Sequence, residues 1–133
     1  MKYIFSFLLL VVLCCCGSKK TYPKAENALD AGREFIDGCL KGDFDRANFY
    51  MVDDARNQQL MEKQKASYQE KKKEEKDAYA TASITIFEDA VLNDSTHIIN
   101  FQNSYDKMGR KVKVILQKDK WLVDFKYTFD GNL

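Results

Sequence analysis

The sequence is short of the residues that punctuate, staple or charge a chain. It has one proline and six glycines in 133 residues, which leaves no composition for a long disordered region. It has one histidine, with no cluster of Cys, Asp or Glu beside it, which argues against a metal site. There is no glycine-rich phosphate loop, no serine-nucleophile motif and no zincin motif. The sequence therefore gives no cofactor and no catalytic residue. Charge of one sign is also lacking: 21 Lys+Arg stand against 20 Asp+Glu. A domain this close to neutral carries no electrostatic footprint for nucleic acid. No internal repeat is visible, and long apolar runs are missing everywhere except at the start.

That start is the most informative segment. Met1 and Lys2 precede an apolar run from Ile4 to Leu13, followed by Cys14-Cys15-Cys16-Gly17-Ser18. A basic start, an apolar stretch and small residues are the three parts of a secretory signal. A membrane-spanning helix is the first rival, but Ile4 to Cys16 reaches only ~20 Å as a helix against the ~30 Å of a bilayer core. A buried core helix is the second, and the run has no polar face to offer solvent.

The end of the run resembles the bacterial lipobox. Leu13 stands three residues before Cys16, Cys14 and Cys15 are the small residues between, and Gly17-Ser18 follow. Cys15, with Val12 in the Leu position, is the alternative lipidation site, and an ordinary cleaved signal is the plain one. The resemblance implies a diacylglycerol thioether on Cys16 and removal of residues 1–15. Two acyl chains suffice for stable anchoring without a spanning helix. The expected address is the outer membrane or cell envelope. Lys19-Lys20 stand where acidic residues mark surface export in some bacteria, which favours the periplasmic side. Loss of Lys2 brings the two charge signs level.

Four cysteines in an exported chain suggest disulfides. Processing would discard Cys14 and Cys15 and lipidate Cys16, which leaves Cys39 without a partner in the chain. It reads as a small core residue on an apolar helix face. No histidine or helix start lies near enough in sequence to activate it.

Residues 16–23 then read as the lipidated Cys and a polar tether, and residues 24–133 as one domain. Residues 24–40 read as a helix, with Ala28, Gly32, Phe35-Ile36 and Cys39-Leu40 on one stripe. Gly42 is placed to end it in the left-handed conformation. Asp43 caps a short second helix carrying Phe44, Ala47 and Tyr50-Met51. Asp53 or Asp54 starts a third, running to about Asp77. Leu60-Met61 and Tyr68 are nearly its only large apolar residues. Its end, QEKKKEEKD, interleaves both charge signs, with i,i+4 pairs Lys71–Glu75 and Lys73–Asp77. It reads as a solvated helix end.

From Ala80 the period becomes alternating. The first strand covers 83–91, with Ile84 and Ile86 on one face, and Asn93-Asp94-Ser95 turn the chain. His97, Ile99, Phe101 and Tyr105 line one face of a second strand. Val112, Val114 and Leu116 mark the inner face of a third, and Lys118-Asp119 make a tight hairpin. Trp121, Val123, Phe125, Tyr127 and Phe129 form the clearest alternation in the chain. The expected fold class is α+β, with three N-terminal helices packed on a curved four-stranded antiparallel sheet.

This layout, with Lys41-Gly42-Asp43-Phe44 after the first helix and Lys120-Trp121-Leu122-Val123-Asp124-Phe125 in the last strand, resembles the nuclear transport factor 2-like superfamily. Its fold is also called cystatin-like. More closely, the chain resembles small bacterial lipoproteins of unassigned function that carry such a domain. The resemblance implies a sheet curled into a cone with a pocket under the helices. Its members include isomerases, cyclases and plain binding or dimerisation domains, so fold alone does not select an activity.

An enzyme of this kind places an acid or base inside the cone, where apolar walls tune it. Asp124 lies between Val123 and Phe125 and is expected to point outward. His97 shares the face of Phe101 and is expected near the rim. His97, Phe101, Tyr105, Trp121, Phe125 and Tyr127 are the candidate pocket lining. The expected function is a membrane-anchored domain that binds a small apolar ligand or a protein partner, without catalysis. A cyclase or isomerase using His97 or Tyr105 is the alternative, and so is a homodimer packed through its sheet.

Overall fold

The structure is a computed structural model that describes residues 17–130. The signal residues and Cys16 lie outside that range. The fold is α+β, with five helices and one four-stranded antiparallel sheet. The helices are not the three expected at the N-terminus: four precede the sheet, beginning at Ala28, and one follows it.

Helix α1 (Ala28–Lys41) starts later than the expected residue 24, because Asn27 caps it by accepting from the Asp30 amide. It ends at Gly42, whose φ of 71° is the left-handed value expected there, and the Gly42 N–H closes on Cys39 O. Asp43 caps α2 (Phe44–Phe49), and Asp54 caps α3 (Ala55–Glu70), each by accepting the N–H three residues on. Gly38 lets α2 lie against α1: a Cβ there would come within 2.9 Å of the Ala47 backbone N. Arg46 of α2 ties the two helices on the outside, reaching both Glu34 and Asp37 of α1.

The expected long third helix is broken. Lys71 and Lys72 are extended, and α4 (Lys73–Ala80) begins afresh in a new direction. No Gly or Pro marks the break. The bend seats the Tyr79 ring 4.6 Å from Tyr105 and against the core, so tertiary burial outweighs local helix propensity. The pairs Lys71–Glu75 and Lys73–Asp77 both form.

The sheet is a meander of β1 (Ile84–Asn93), β2 (Thr96–Asn103), β3 (Arg110–Gln117) and β4 (Lys120–Asp124). Lys118 and Asp119 both have positive φ, the geometry of a two-residue hairpin turn. The face toward α1 carries Ile99, Phe101, Val112, Val114 and Val123, all buried. Phe35 of α1 meets Phe125 edge-on at 5.0 Å. Every residue of the described core lies between Ala25 and Phe125, so a chain beginning at Gly17 carries what the core needs to fold.

Two strand expectations are corrected. Tyr105 is not in β2. Asn103, only 3% exposed, ends the strand by accepting the Tyr105 and Asp106 amides, and Tyr105 leaves on a turn. Likewise, β4 stops at Asp124, and Lys126–Asp130 form α5. Tyr127 and Phe129 are therefore helical. Phe125 and Phe129 still stack at 5.0 Å, since residues four apart share a face in a helix as well as in a strand. Tyr127, which only a strand would align with them, turns the other way, with Lys113 Nζ 6.0 Å over its ring.

Asp124 is also corrected, being buried rather than exposed. Its carboxylate accepts from Asn57 Nδ2 and Lys126 Nζ. Fully buried Asn57 is the hub of this junction, because its Oδ1 accepts the Lys126 amide, the first of α5. The outer edge of β4 is closed by the segment after α2, where Val52 N–H donates to Val123 O and Val123 N–H to Tyr50 O. The edge of β1 carries no such cover. It exposes Phe87, Val91 and Leu92, with a bulge between Ile86 and Glu88.

Candidate ligand cavity

A cavity of about 440 Å³ opens between α1, the α3–α4 bend, the β2–β3 turn and α5. Its deep wall is apolar: Phe35, Ile36 and Leu40 from α1 meet Phe101, Val112 and Phe125 from the sheet side, and all six are buried. Its mouth is polar, with Gln64 and Ser67 from α3, Lys71 at the bend, Tyr79 from α4, and Asp106 with Arg110 at the β2–β3 turn. The volume lies in the ~300–1,000 Å³ range of small-molecule sites, and an apolar wall with few polar groups is their usual make-up.

An ion pair holds one side of the mouth. Arg110 grips Asp106 with two parallel bonds of 3.0 and 2.7 Å, the strong bidentate form. Asp106 also accepts the Met108 amide at 2.9 Å and the Tyr79 hydroxyl at 3.4 Å. The Arg110 guanidinium is the main reason its carboxyl falls from 3.8 to about 2. Across the mouth, Lys71 Nζ bonds Glu75 Oε1 at 2.9 Å and lies 5.1 Å from the centre of the Tyr79 ring. Burial pushes the Tyr79 phenol up, so it stays a neutral donor.

This pair ties stability to pH. A carboxyl whose folded pKa lies below its unfolded value stabilises the fold above the unfolded pKa, and that stability is lost as pH falls through the folded one. Asp106 is 13% exposed, so the shift converts to about 2 kcal/mol at ~1.4 kcal/mol per unit. Between pH 4 and pH 2 the wild-type protein should lose about that much more stability than Asp106→Asn. Urea titrations of both at each pH would show it, and parallel curves would refute it.

Of the expected lining, Phe101 and Phe125 face the cavity, and His97, Tyr105, Trp121 and Tyr127 do not line it. His97 sits at the far end of the sheet face, where its Nδ1 bonds Asp89 Oδ1 at 2.7 Å and its ring meets Trp121 edge-on at 5.2 Å. Tyr105 is 47% exposed and meets the lining residue Tyr79 edge-on. Cys39 does line the cavity, and burial among apolar groups pushes its thiol up to about 12. Tyr79, Asp106 and Arg110 were not singled out by sequence pattern, and Lys71 was read only as the i,i+4 partner of Glu75. The only signal was an acid and a base flanking a turn with Gly109, four residues apart.

Among the described residues, no group of three His, Cys, Asp or Glu side chains could hold a metal ion. None of their helices is long and apolar enough to cross a membrane. The chain matches no family model, no curated protein and no solved structure.

Proposed function

We propose that this chain is a membrane-anchored lipoprotein, lipidated on Cys16, whose domain binds a small apolar ligand without turning it over. The anchor places it in the cell envelope, facing the periplasm. The cavity under the helices is the observation that carries the binding half. Helices followed by an antiparallel meander, with a pocket between them, are what the nuclear transport factor 2-like (cystatin-like) resemblance leads one to expect, and we read the sheet as that family's cone. A proton-transferring enzyme would need a poised base in the cavity. The carboxylate there, Asp106, is held near 2 by Arg110, which makes it a weak base at neutral pH.

Two measurements test the proposal. Labelled palmitate should enter the wild-type protein in cells and not Cys16→Ala, and label in the variant would remove the anchor. A soluble chain of residues 17–133 should raise the fluorescence of the neutral probe N-phenyl-1-naphthylamine, and Ser67→Trp, at the mouth, should abolish the rise. An unchanged signal in Ser67→Trp would place the probe elsewhere.

A further inference from the structure

Resting on that reading of the cavity, we propose that its ligand is a single-chain amphiphile with an anionic head: a carboxylate on an apolar tail. The tail lies against Phe35, Phe101 and Phe125, and the head meets Lys71. The buried lining is aromatic and aliphatic apart from Asn103, and the charged lining residues Lys71, Asp106 and Arg110 stand at the mouth, beside exposed Phe129. That gradient suits a molecule with one wet end. At ~30 Å³ per water-sized group, the cavity holds about fifteen heavy atoms, the length of a medium-chain acid rather than a two-chain lipid.

The sign of the head follows from what the mouth has left to give. Asp106 is spent: its oxygens take both Arg110 bonds, the Met108 amide and the Tyr79 hydroxyl. Glu75 is bound to Lys71. Lys71 has three ammonium protons and gives one to Glu75. Lys76 lies 5.4 Å over the ring of Tyr68, a lining residue, and bonds a carbonyl, Gln69 O, rather than a carboxylate. The charged residues that line the cavity are Lys71, Arg110 and Asp106, and Arg110 is bound to Asp106. That leaves Lys71, whose hydrogen-bonding capacity beyond Glu75 is donor only. A carboxylate accepts from such donors, and the apolar walls beside Lys71 strengthen the attraction.

The test is competition against N-phenyl-1-naphthylamine on residues 17–133 at pH 8 and low salt. Decanoate should displace the probe at about tenfold lower concentration than decan-1-ol, and decyltrimethylammonium should be the poorest of the three. Salt should narrow the gap. In Lys71→Gln decanoate should fall to the level of decan-1-ol, and Lys71→Arg should keep the preference. Competition by decan-1-ol in Lys71→Gln reports that the variant is folded. If the probe does not bind at all, the cavity reading itself fails. If the probe binds but the three chains compete equally, or the cation competes best, the cavity stands and the anionic head is overturned.

Discussion

Asn57→Leu should cost the domain about 4 kcal/mol, with a matching fall in the urea midpoint. The substitution keeps the branched shape of the side chain and adds bulk rather than removing it, so no cavity is left and any packing cost comes from crowding. Asn57 is fully buried. Its amide donates to Val52 O at 3.1 Å and to Asp124 Oδ1 at 3.2 Å, and its Oδ1 accepts the Lys126 N–H at 2.7 Å. Leucine leaves the Lys126 N–H without a partner, takes one of two donors from Val52 O, which keeps the Asp54 N–H, and takes one partner from a buried carboxylate. The orphaned donor costs roughly 1–3 kcal/mol and each of the other two bonds ~1 kcal/mol, which together come to about 4. The damage should also be local in origin, since these bonds fasten α3 to the β4–α5 junction. Hydrogen exchange in α5 should accelerate before the global transition moves. A change below 1 kcal/mol would mean that water replaces the amide without loss.

The native Cys39 thiol should alkylate about a thousand times more slowly than the same thiol in the unfolded chain. Only the thiolate reacts, and burial moves its pKa from 9.0 to about 12, a thousandfold loss of thiolate at pH 8. Iodoacetamide labelling, followed on the tryptic peptide that contains Cys39 with and without urea, gives the ratio directly. Equal rates would show that the thiol meets solvent freely. The result bears on function, because a thiol this inert cannot be a nucleophile at neutral pH even though it lines the cavity.

Where one residue type sets one backbone state, the sequence was legible. Gly42 with its positive φ, the Asp43 and Asp54 caps and the Lys118-Asp119 turn all form as local chemistry requires. The reading failed where two periods agree or where distant burial overrides local preference. Phe125 and Phe129 suit a strand or a helix equally, so the end of β4 was invisible to alternation. The α3–α4 bend has no breaker residue, and its cause is the packing of Tyr79, far along the chain from its partner Tyr105. Asp124 looked exposed by parity, and no pattern shows that Asn57 and Lys126 will enclose it. The cavity suffered most, since its mouth is built from that bend and from the β2–β3 turn.

The two edges of the sheet are treated unequally, and this bears on how copies of the chain meet. β4 is sealed by the chain after α2. β1 presents unpaired backbone beside Phe87, Val91 and Leu92, a template on which a neighbouring molecule's strand could add. Only shape and charge stand guard there. The bulge after Ile86 spoils the flatness of the strand, and Glu88-Asp89 act as gatekeepers whose like charges repel a copy of themselves. The domain's resistance to polymerising through this edge thus depends on those two carboxylates and on the two register shifts of the strand, at Ile86/Glu88 and Val91/Asn93.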